Sequence, residues 1–298
     1  MKPILNILVL AAIACLVVSS GCAGNVPAGS PTATVPVPGT AVPYPGPVSI
    51  SNTPVQYKDV NGVRLAYWEF GSAGEPILLI EGFGGTVANA TPLQASWNET
   101  FLSILSSKYH VYAYDHRGVG YSSTSNATPT IPLYADDAAG LIVALGYDSM
   151  HVYGESMGSS TAQQLAIDHP SRVRKLVLDS STYDARVPEC RTLLAILEEN
   201  ANDPNQTAGI RDEARANLVW NGTWDGLAGI HKDVMLVVGT ADPLTPDPVS
   251  VRMAGQINGS WLVRFKGLSH CGSHYAPVQY AENALYFLGT DEEPLGTR

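Results

Sequence analysis

One serine in the sequence stands on a stretch that could make it a nucleophile. VYGESMGSS (152–160) carries the pattern Gly154-x-Ser156-x-Gly158. It follows a β-prone run and opens a helical pattern, and a serine held on so sharp a strand-to-helix turn needs neighbours without bulk. The N–H groups at the start of the next helix would then face the negative charge that builds up on a substrate oxygen. The alternative is a structural Gly-Ser turn at a sheet edge.

A second stretch, GLSHCGSH (267–274), places two histidines on either side of a cysteine. A serine hydroxyl is a weak nucleophile until a neighbouring base takes its proton, and histidine can be that base. His270 follows the β-prone run WLVRFKG after a short turn. His270, Cys271 and His274 could instead supply three metal ligands, but a serine and an acid explain His270 without any ion. No metal is therefore predicted, and His274 is expected to be a supporting or solvent-facing residue.

Six short apolar runs have the length and composition of strands buried on both faces. Helical patterns separate most of them, which predicts a mostly parallel sheet with helices on both faces. Residues 55–71 precede them and predict a hairpin, with Asn61-Gly62 as its two-residue turn. The six runs are PILLIEG, HVYAYD, MHVYGES, VRKLVLDS, DVMLVVGT and WLVRFKG.

Three helices and one insertion complete the predicted fold. The helices span 136–146, 159–170 and 277–289, and each has a proline or glycine at one end. Between the fourth and fifth buried strands lies an insertion at about 183–232, helical in CRTLLAILEEN and IRDEARANLVW. An insertion of this size usually forms a lid or cap over a site. The alternative is a pair of surface helices with no role in binding.

Taken in order, these motifs resemble those of the α/β-hydrolase fold superfamily, in its esterase and aminopeptidase-like branch, over roughly residues 55 to 290. ILLIEGFGG resembles the strand and loop that supply one oxyanion-hole amide. YDHRGVGYS resembles a glycine-rich turn of the superfamily, and YGESMG resembles its nucleophile elbow. HPSRVRKLVL resembles the following helix-to-strand step, VVGTADPLTP the turn with the acid, and FKGLSHCG the turn with the histidine. The resemblance implies an α/β-hydrolase fold with a short helical cap, and serine hydrolase chemistry that needs no cofactor.

The resemblance also implies a catalytic triad in the chain order serine, acid, histidine. Ser156 is the nucleophile, His270 the base and Asp242 the acid. Asp242 follows a buried strand on a turn, and the carboxyl ends of such strands are where ligands meet an open α/β sheet. Asp179, at the end of the preceding strand, is the competing acid, but its surroundings match the superfamily less well.

The oxyanion hole should use the backbone N–H groups of Phe83 and Met157. The chain departs from its relatives in this loop, since it has Glu81 where they commonly have histidine. A carboxylate beside a developing oxyanion would hinder the reaction unless it is protonated or paired, and Arg117 is the candidate partner. Backbone donors themselves do not depend on that side chain.

Two cysteines of the globular part could form a disulfide. A free thiol at Cys271, beside the base, would be open to oxidation in an exported protein. Cys190 lies at the start of the first predicted cap helix, so a bond between the two would pin the cap to the histidine loop. The alternative is two separate buried thiols.

The first residues predict export and anchoring. A lysine, an apolar run and small residues follow one another in residues 1–21, as in an export signal. Cys22 follows in SSGC, which resembles a lipoprotein box, although Ser19 replaces its usual leucine; ordinary signal cleavage is the alternative. Residues 22–54 are rich in Pro, Gly, Ser and Thr and predict an extended tether. The expected location is the outer face of the cell membrane, or the medium.

Composition excludes one class of partner. Acidic residues outnumber basic ones by 27 to 17, which argues against nucleic acid, since its affinity comes mainly from Lys and Arg. The expected partners are the membrane, through the lipid, and a small-molecule ester or amide. Oligomeric state does not follow from the sequence.

The sequence therefore predicts an exported serine hydrolase, of which a carboxylesterase acting on small or medium esters is the favoured form. An amidase or aminopeptidase of the proline-iminopeptidase-like type is the first alternative, because Glu189, Glu198 and Glu199 of the cap could hold a substrate's amino group. A catalytically silent surface-interaction module is the second, because a fold does not fix a function.

Overall fold

The computed structural model describes residues 48–91 and 93–291. The predicted export signal (1–21), Cys22 and most of the predicted tether lie outside these residues, as does the end of the predicted hydrolase domain, 55–298.

The last residues of the predicted tether are packed against the globular part. Ile50 is buried, and its backbone N–H donates to Glu99 Oε1 at 2.7 Å. The N–H of Val48 donates to Ser103 Oγ at 2.7 Å. Val48 and Ile50, which lie before the predicted boundary at residue 55, thus contact the globular part through one apolar side chain and two backbone donors.

The described residues contain one eight-stranded sheet, in the spatial order β1-β2-β4-β3-β5-β6-β7-β8. The pairs β1–β2 and β2–β4 are antiparallel, and the other neighbours are parallel. The mostly parallel sheet and the six predicted strands are confirmed, but the last of them lies at the edge of the sheet and is only partly buried. The strands are β1 (Gln56–Val60), β2 (Val63–Phe70), β3 (Pro76–Ile80), β4 (His110–Tyr114), β5 (Met150–Glu155), β6 (Val173–Asp179), β7 (Asp233–Gly239) and β8 (Trp261–Phe265).

The predicted hairpin joins β1 and β2. Val60 pairs with Val63, so Asn61 and Gly62 are the two turn residues. Their φ values are 48° and 77°, and a two-residue turn with φ positive at both positions matches the twist of the flanking strands.

Helices cover both faces of the sheet, as predicted. Three of them, α1, α6 and α7, go beyond the predicted set, and α2 begins at Ile131, five residues before its predicted start at 136. The earlier start follows from Thr130, whose side chain caps the helix by accepting the N–H of Leu133 at 3.1 Å. The helices are α1 (Glu99–Ser106), α2 (Ile131–Ala144), α3 (Met157–Asp168), α4 (Arg191–Asn202), α5 (Ala208–Val219), α6 (Trp224–Leu227), α7 (Asp247–Gln256) and α8 (Pro277–Leu288).

Strand β3 shows how the core is divided. Leu78 and Ile80 pack in a cluster with α2, α3 and the cap, whereas Ile77 and Leu79 pack in a second cluster with α1 and α8. All four side chains are fully buried. Alternate residues thus serve opposite faces, which explains why β3 is apolar throughout rather than alternating.

The predicted insertion lies between β6 and β7 and contains α4, α5 and α6. Its first two helices pack against each other, and their buried side chains join the core cluster on the α2–α3 face. In the residues that the structure describes, no helix has the length and apolar character to cross a membrane.

Candidate active site

Ser156 occupies the predicted sharp turn between β5 and α3. Its φ and ψ are 54° and −118°, a conformation that costs a non-glycine residue energy and occurs mainly at functional sites. A Cβ at Gly154 would lie 2.3 Å from the carbonyl oxygen of Gly158, and one at Gly158 would lie 2.0 Å from that of Ile80. Both glycines are therefore required by close backbone approach, as the spacing predicts.

The structure brings Ser156, His270 and Asp242 together. Nε2 of His270 lies 2.8 Å from Ser156 Oγ, and Nδ1 of the same ring lies 2.8 Å from Asp242 Oδ2. The ring thus bridges residues that are far apart in the sequence. Each pair is within hydrogen-bonding distance, which is the geometry that nucleophile activation requires.

Asp242, rather than Asp179, orients the histidine. Asp242 Oδ1 accepts the N–H groups of Leu244 and Thr245 at 2.8 and 2.9 Å, so the turn after β7 fixes the carboxylate. Asp179 lies buried at the end of β6, where its Oδ2 accepts the hydroxyl of Tyr153 at 2.8 Å. Burial and the charge of nearby Glu155 raise the pKa of Asp179 to about 8.

The electrostatics of the histidine–acid pair favour a charged carboxylate. Burial acts to raise the pKa of Asp242, but hydrogen bonds from His270, Thr245 and Leu244 together lower it below its ordinary value. Burial acts to lower the pKa of His270, but the hydrogen bond and charge of Asp242 outweigh it and raise that pKa. An imidazolium formed during proton transfer is thereby stabilised.

The predicted oxyanion donors border the same space as the nucleophile. Phe83, Met157 and Ser156 all line one cavity. Met157 is the first residue of α3, and the N–H groups in the first turn of a helix have no partner within that helix. Both residues therefore border the place where a substrate oxygen would gain charge.

Glu81 is not paired with Arg117, the candidate partner, which leaves protonation as the other expected way to avoid a charge beside the oxyanion. The guanidinium of Arg117 lies on Asp137, with Nε and Nη2 each 2.5 Å from a carboxylate oxygen. Glu81 is 1% exposed, and neither of its carboxyl oxygens has a hydrogen-bond partner. Burial, with the charge of nearby Glu155, raises its pKa well above the ordinary value. A neutral Glu81 removes the expected conflict with a developing oxyanion.

A second buried acid links the cap to the oxyanion loop. Glu213 of α5 is fully buried, and its Oε2 accepts the N–H of Gly84 at 2.8 Å. Burial raises the pKa of Glu213 to about 8, although the Gly84 N–H opposes the shift. Because Gly84 directly follows Phe83, the cap supports the loop that should hold the oxyanion.

Replacing Glu213 by glutamine is expected to stabilise the protein at alkaline pH. Between pH 4.5 and about 8 the unfolded chain releases this proton while the folded chain keeps it, so the wild type loses stability as pH rises through that window. Glutamine keeps an acceptor for Gly84 and does not titrate. Its free energy of unfolding in urea at about pH 9 should exceed that of the wild type by on the order of 3 kcal/mol. The exposed Glu198→Gln serves as control, and equal stability of Glu213→Gln and wild type would contradict the argument.

The predicted disulfide does not form, because Cys190 and Cys271 are both free and buried. Each sulfur has its own neighbour: Cys190 Sγ lies 3.5 Å from Thr182 Oγ1, and Cys271 Sγ lies 3.9 Å from Gln94 Nε2. Burial raises the pKa of the Cys190 thiol to about 11 and that of Cys271 well above its ordinary value. A buried protonated thiol oxidises slowly, so the thiol beside the base does not require a disulfide to protect it.

Both thiols are expected to react once the chain is unfolded. After denaturation without reductant, the peptides that contain Cys190 and Cys271 should each carry one alkyl group from iodoacetamide, as read by mass spectrometry. Omission of denaturant is the control, since both side chains are buried and should then react slowly. A cross-linked peptide pair would contradict the structure.

His270, Cys271 and His274 do not form the three-ligand metal site that the sequence left as an alternative. Its two ring nitrogens are engaged by Ser156 and Asp242, whereas His274 Nε2 lies 3.1 Å from Glu155 Oε1. The predicted role of His274 as a supporting residue agrees with this contact.

Sequence reasoning missed two residues that support the triad. Thr245 donates its hydroxyl to Asp242 Oδ2 at 2.9 Å, and its place three residues after an acid on a turn is a signal that could have found it. Ser180 accepts the N–H of Cys271 at 2.8 Å. Its partner lies 91 residues away in the sequence, so no local pattern reveals it.

The cap forms the roof of the cavity beside Ser156. Leu193 and Leu197 of α4 and Asn217 of α5 line it, together with the loop residue Phe83. The predicted amino-group ligands lie elsewhere: Glu198 and Glu199 are exposed, and Glu189 is paired with Arg252 at 2.7 Å. Apolar groups therefore dominate the roof, and no acid lines the cavity in the described part of the chain.

Comparison with known proteins identifies the family. Residues 75–200 match the family model of the alpha/beta hydrolase fold. A solved structure described as an alpha/beta hydrolase fold protein from Chitinophaga pinensis superposes with a TM-score of 0.68 at 20% identity, covering 82% of this chain and all of that one. At that identity the likeness shows the fold.

Curated relatives add longer matches at higher identity. RutD of Azorhizobium caulinodans, a carbamate hydrolase by name, is 33% identical over 75% of this chain and 94% of its own length. A poly(3-hydroxyalkanoate) depolymerase of Ectopseudomonas oleovorans is 34% identical over 74% of this chain and 69% of its own. Other curated relatives match along shorter stretches, and the chain spans 31% of the length of one and 45% of another. The chain belongs to the alpha/beta hydrolase fold family.

Proposed function

We propose that the protein is a serine carboxylesterase that hydrolyses small or medium esters through an acyl-serine. The observation that carries the proposal is the position of the His270 ring, 2.8 Å from Ser156 Oγ on one side and 2.8 Å from Asp242 Oδ2 on the other. That arrangement makes a serine nucleophilic and keeps the base in the required tautomer.

The reaction would proceed in two acyl transfers. Ser156 Oγ forms a bond to the ester carbonyl carbon while its proton passes to His270 Nε2, and the N–H groups of Phe83 and Met157 hold the resulting oxyanion. The intermediate collapses, the C–O bond to the alcohol breaks, and His270 returns the proton to the leaving oxygen. Water then repeats the sequence on the acyl-serine, which releases the acid.

The lining of the cavity supports an uncharged acyl group. The apolar side chains of Leu193, Leu197, Phe83 and Met157 line it and suit an aliphatic chain. Ester cleavage also agrees with one relative, which by name depolymerises a polyester. Among the described residues no acid lines the cavity to receive the amino group of an aminopeptidase substrate, so we favour esters.

Two measurements test the proposal. A fluorophosphonate probe should label Ser156, and folded protein that stays unlabelled would favour the silent interaction module instead. A panel of nitrophenyl esters of increasing chain length, run beside aminoacyl anilides, should give turnover on the short esters. Turnover restricted to the anilides would replace the esterase by an aminopeptidase.

We also propose that the enzyme is exported and held at the outer face of the membrane by a lipid on Cys22. The signal-like residues 1–21, the SSGC sequence and the charge-poor tether support this location. Cell fractionation tests it: the wild type should sediment with membranes, and Cys22→Ala should appear in the soluble fraction. A wild type recovered without membranes would contradict lipid anchoring.

A further inference from the structure

One buried acid beside the nucleophile has no part in the triad. Glu155, the last residue of β5, directly precedes Ser156 and is fully buried. Its carboxylate accepts hydrogen bonds from Gln94 Nε2 at 2.6 Å, from His274 Nε2 at 3.1 Å and from the hydroxyl of Ser273. These donors come from two different loops.

Those two loops hold the other parts of the site. Gln94 packs on the oxyanion loop, because a Cβ at Gly82 would lie 3.0 Å from its amide atoms. Ser273 and His274 lie in the loop after β8 that carries His270. Glu155 therefore joins the nucleophile's strand to the oxyanion loop and to the base's loop.

The electrostatics of Glu155 and His274 favour a charged pair. Burial acts to raise the pKa of Glu155, but the charge and hydrogen bond of His274 lower it below its ordinary value. Burial acts to lower the pKa of His274, but the charge and hydrogen bond of Glu155 raise it above its ordinary value. Each side chain thus favours the charged form of the other.

A metal ion is a weaker interpretation of the same cluster. Glu155, Cys271 and His274 place potential ligand atoms within 4.8 Å of one another. Both oxygens of Glu155 already accept hydrogen bonds, and burial keeps the Cys271 thiol protonated. The ion pair satisfies the observed contacts without a further ligand.

We propose that the Glu155–His274 ion pair is a positioning element of the active site, which fixes the loop that carries His270 and neutralises the carboxylate next to the nucleophile. The inference rests on the proposed esterase function, because its readout is the activity of Ser156. Neither residue touches the reacting atoms, so both act through His270.

The charges of the pair should affect the pH dependence of kcat/KM, which a purely structural contact would not change. His270 works as a base only when neutral, so kcat/KM falls as pH falls through its pKa. The negative charge of Glu155 helps to raise that pKa. Removing it should move the acidic limb of the pH profile to lower pH. Removing His274 takes away the group that keeps Glu155 ionised against burial, so the carboxyl should become neutral and the limb should move in the same direction.

Other titratable groups around the pair remain in all variants and so cancel in the comparison. They come from β5, the ends of β3, β6 and β7, the histidine loop and α8. They are Tyr153, Glu81, Asp179, Asp242, Cys271 and Tyr280.

The experiment measures kcat and KM on a short nitrophenyl ester from about pH 5 to about pH 9. Glu155→Gln and His274→Gln should each lower kcat by about tenfold or more, because a displaced base is costly, while KM stays within about twofold. The acidic limb should shift to lower pH by about one unit in each single variant. The double variant should shift it no further than either single variant does.

His151→Gln is the matched control. His151 is buried on the same strand, and its Nε2 lies 3.0 Å from Glu75 Oε2 at the end remote from Ser156. The substitution His151→Gln removes a histidine–acid contact that lies away from the triad. It should therefore leave the pH profile unchanged. Thermal melts of all variants identify any that fail to fold.

One measurement needs no variant of the pair. In folded Ser156→Ala protein, the NMR titration of the His274 ring should give a pKa above the ordinary value of about 6.5. A neutral His274 at pH 7, an acidic limb that does not shift in Glu155→Gln, or activity lost in EDTA and restored by Zn²⁺ would each overturn the ion pair. Wild-type protein that fluorophosphonate does not label would overturn the esterase function itself, which is a separate result.

Discussion

Replacing Ser156 by alanine is expected to lower kcat/KM for nitrophenyl esters by about 10⁴- to 10⁶-fold and to abolish fluorophosphonate labelling. The reason is that no other oxygen lies 2.8 Å from His270 Nε2 among the described contacts. Cavity binding and the oxyanion donors would remain, so a small residual rate above that of water is expected.

A neighbouring serine provides the control for this variant. Ser159 is buried in the same helix turn and donates its hydroxyl to the carbonyl of Ser156 at 2.7 Å. Ser159→Ala removes one buried hydroxyl without touching the base, so labelling should persist. Labelling of Ser156→Ala at the wild-type rate would show that another residue is the nucleophile.

Replacing Asp242 by asparagine is expected to lower kcat by about 10³- to 10⁴-fold with KM little changed. Asparagine keeps the shape of the turn and can still accept the N–H groups of Leu244 and Thr245. It cannot stabilise an imidazolium, and its amide group can favour the wrong tautomer of His270.

Asp179→Asn is the matched comparison, because Asp179 is the other acid at a strand end near the base. Its carboxylate contacts Tyr153 and Ser180, so its loss should cost less than about tenfold in kcat. Steady-state kinetics on the same ester measure both variants. A larger loss for Asp179→Asn than for Asp242→Asn would assign the orienting role to Asp179.

Features set by local chain chemistry were predictable from the sequence. Three such features follow from short-range steric or burial requirements. They are the glycines at 154 and 158, the Asn61-Gly62 turn and the apolar runs of β3 to β7. The start of α2 was missed because Thr130 caps the helix outside the apolar pattern. The order of the strands follows from the resemblance and from the rules of parallel connections.

Features set by tertiary contacts were not predictable in the same way. Glu155 gains its partners from residues 61, 118 and 119 positions away, and nothing in YGESMG distinguishes it from an exposed elbow residue. The predicted disulfide was wrong for the same reason. The sequence shows that two cysteines exist but not how their sulfur atoms are placed in space. Glu81 and Arg117 were predicted to pair only because their charges are opposite. In the structure, two guanidinium nitrogens of Arg117 donate to the carboxylate of Asp137 instead.

The backbone contact at Gly158 has a consequence for how the proposed esterase could change its substrate. Helix α3 and strand β3 approach so closely that a methyl group would not fit between them, so direct main-chain contact sets the spacing between these two elements. The insertion, by contrast, contributes three of the side chains that line the cavity, those of Leu193, Leu197 and Asn217. Under the proposed function, new acyl preferences could therefore arise by exchanging these residues while the backbone around Ser156 stays unchanged.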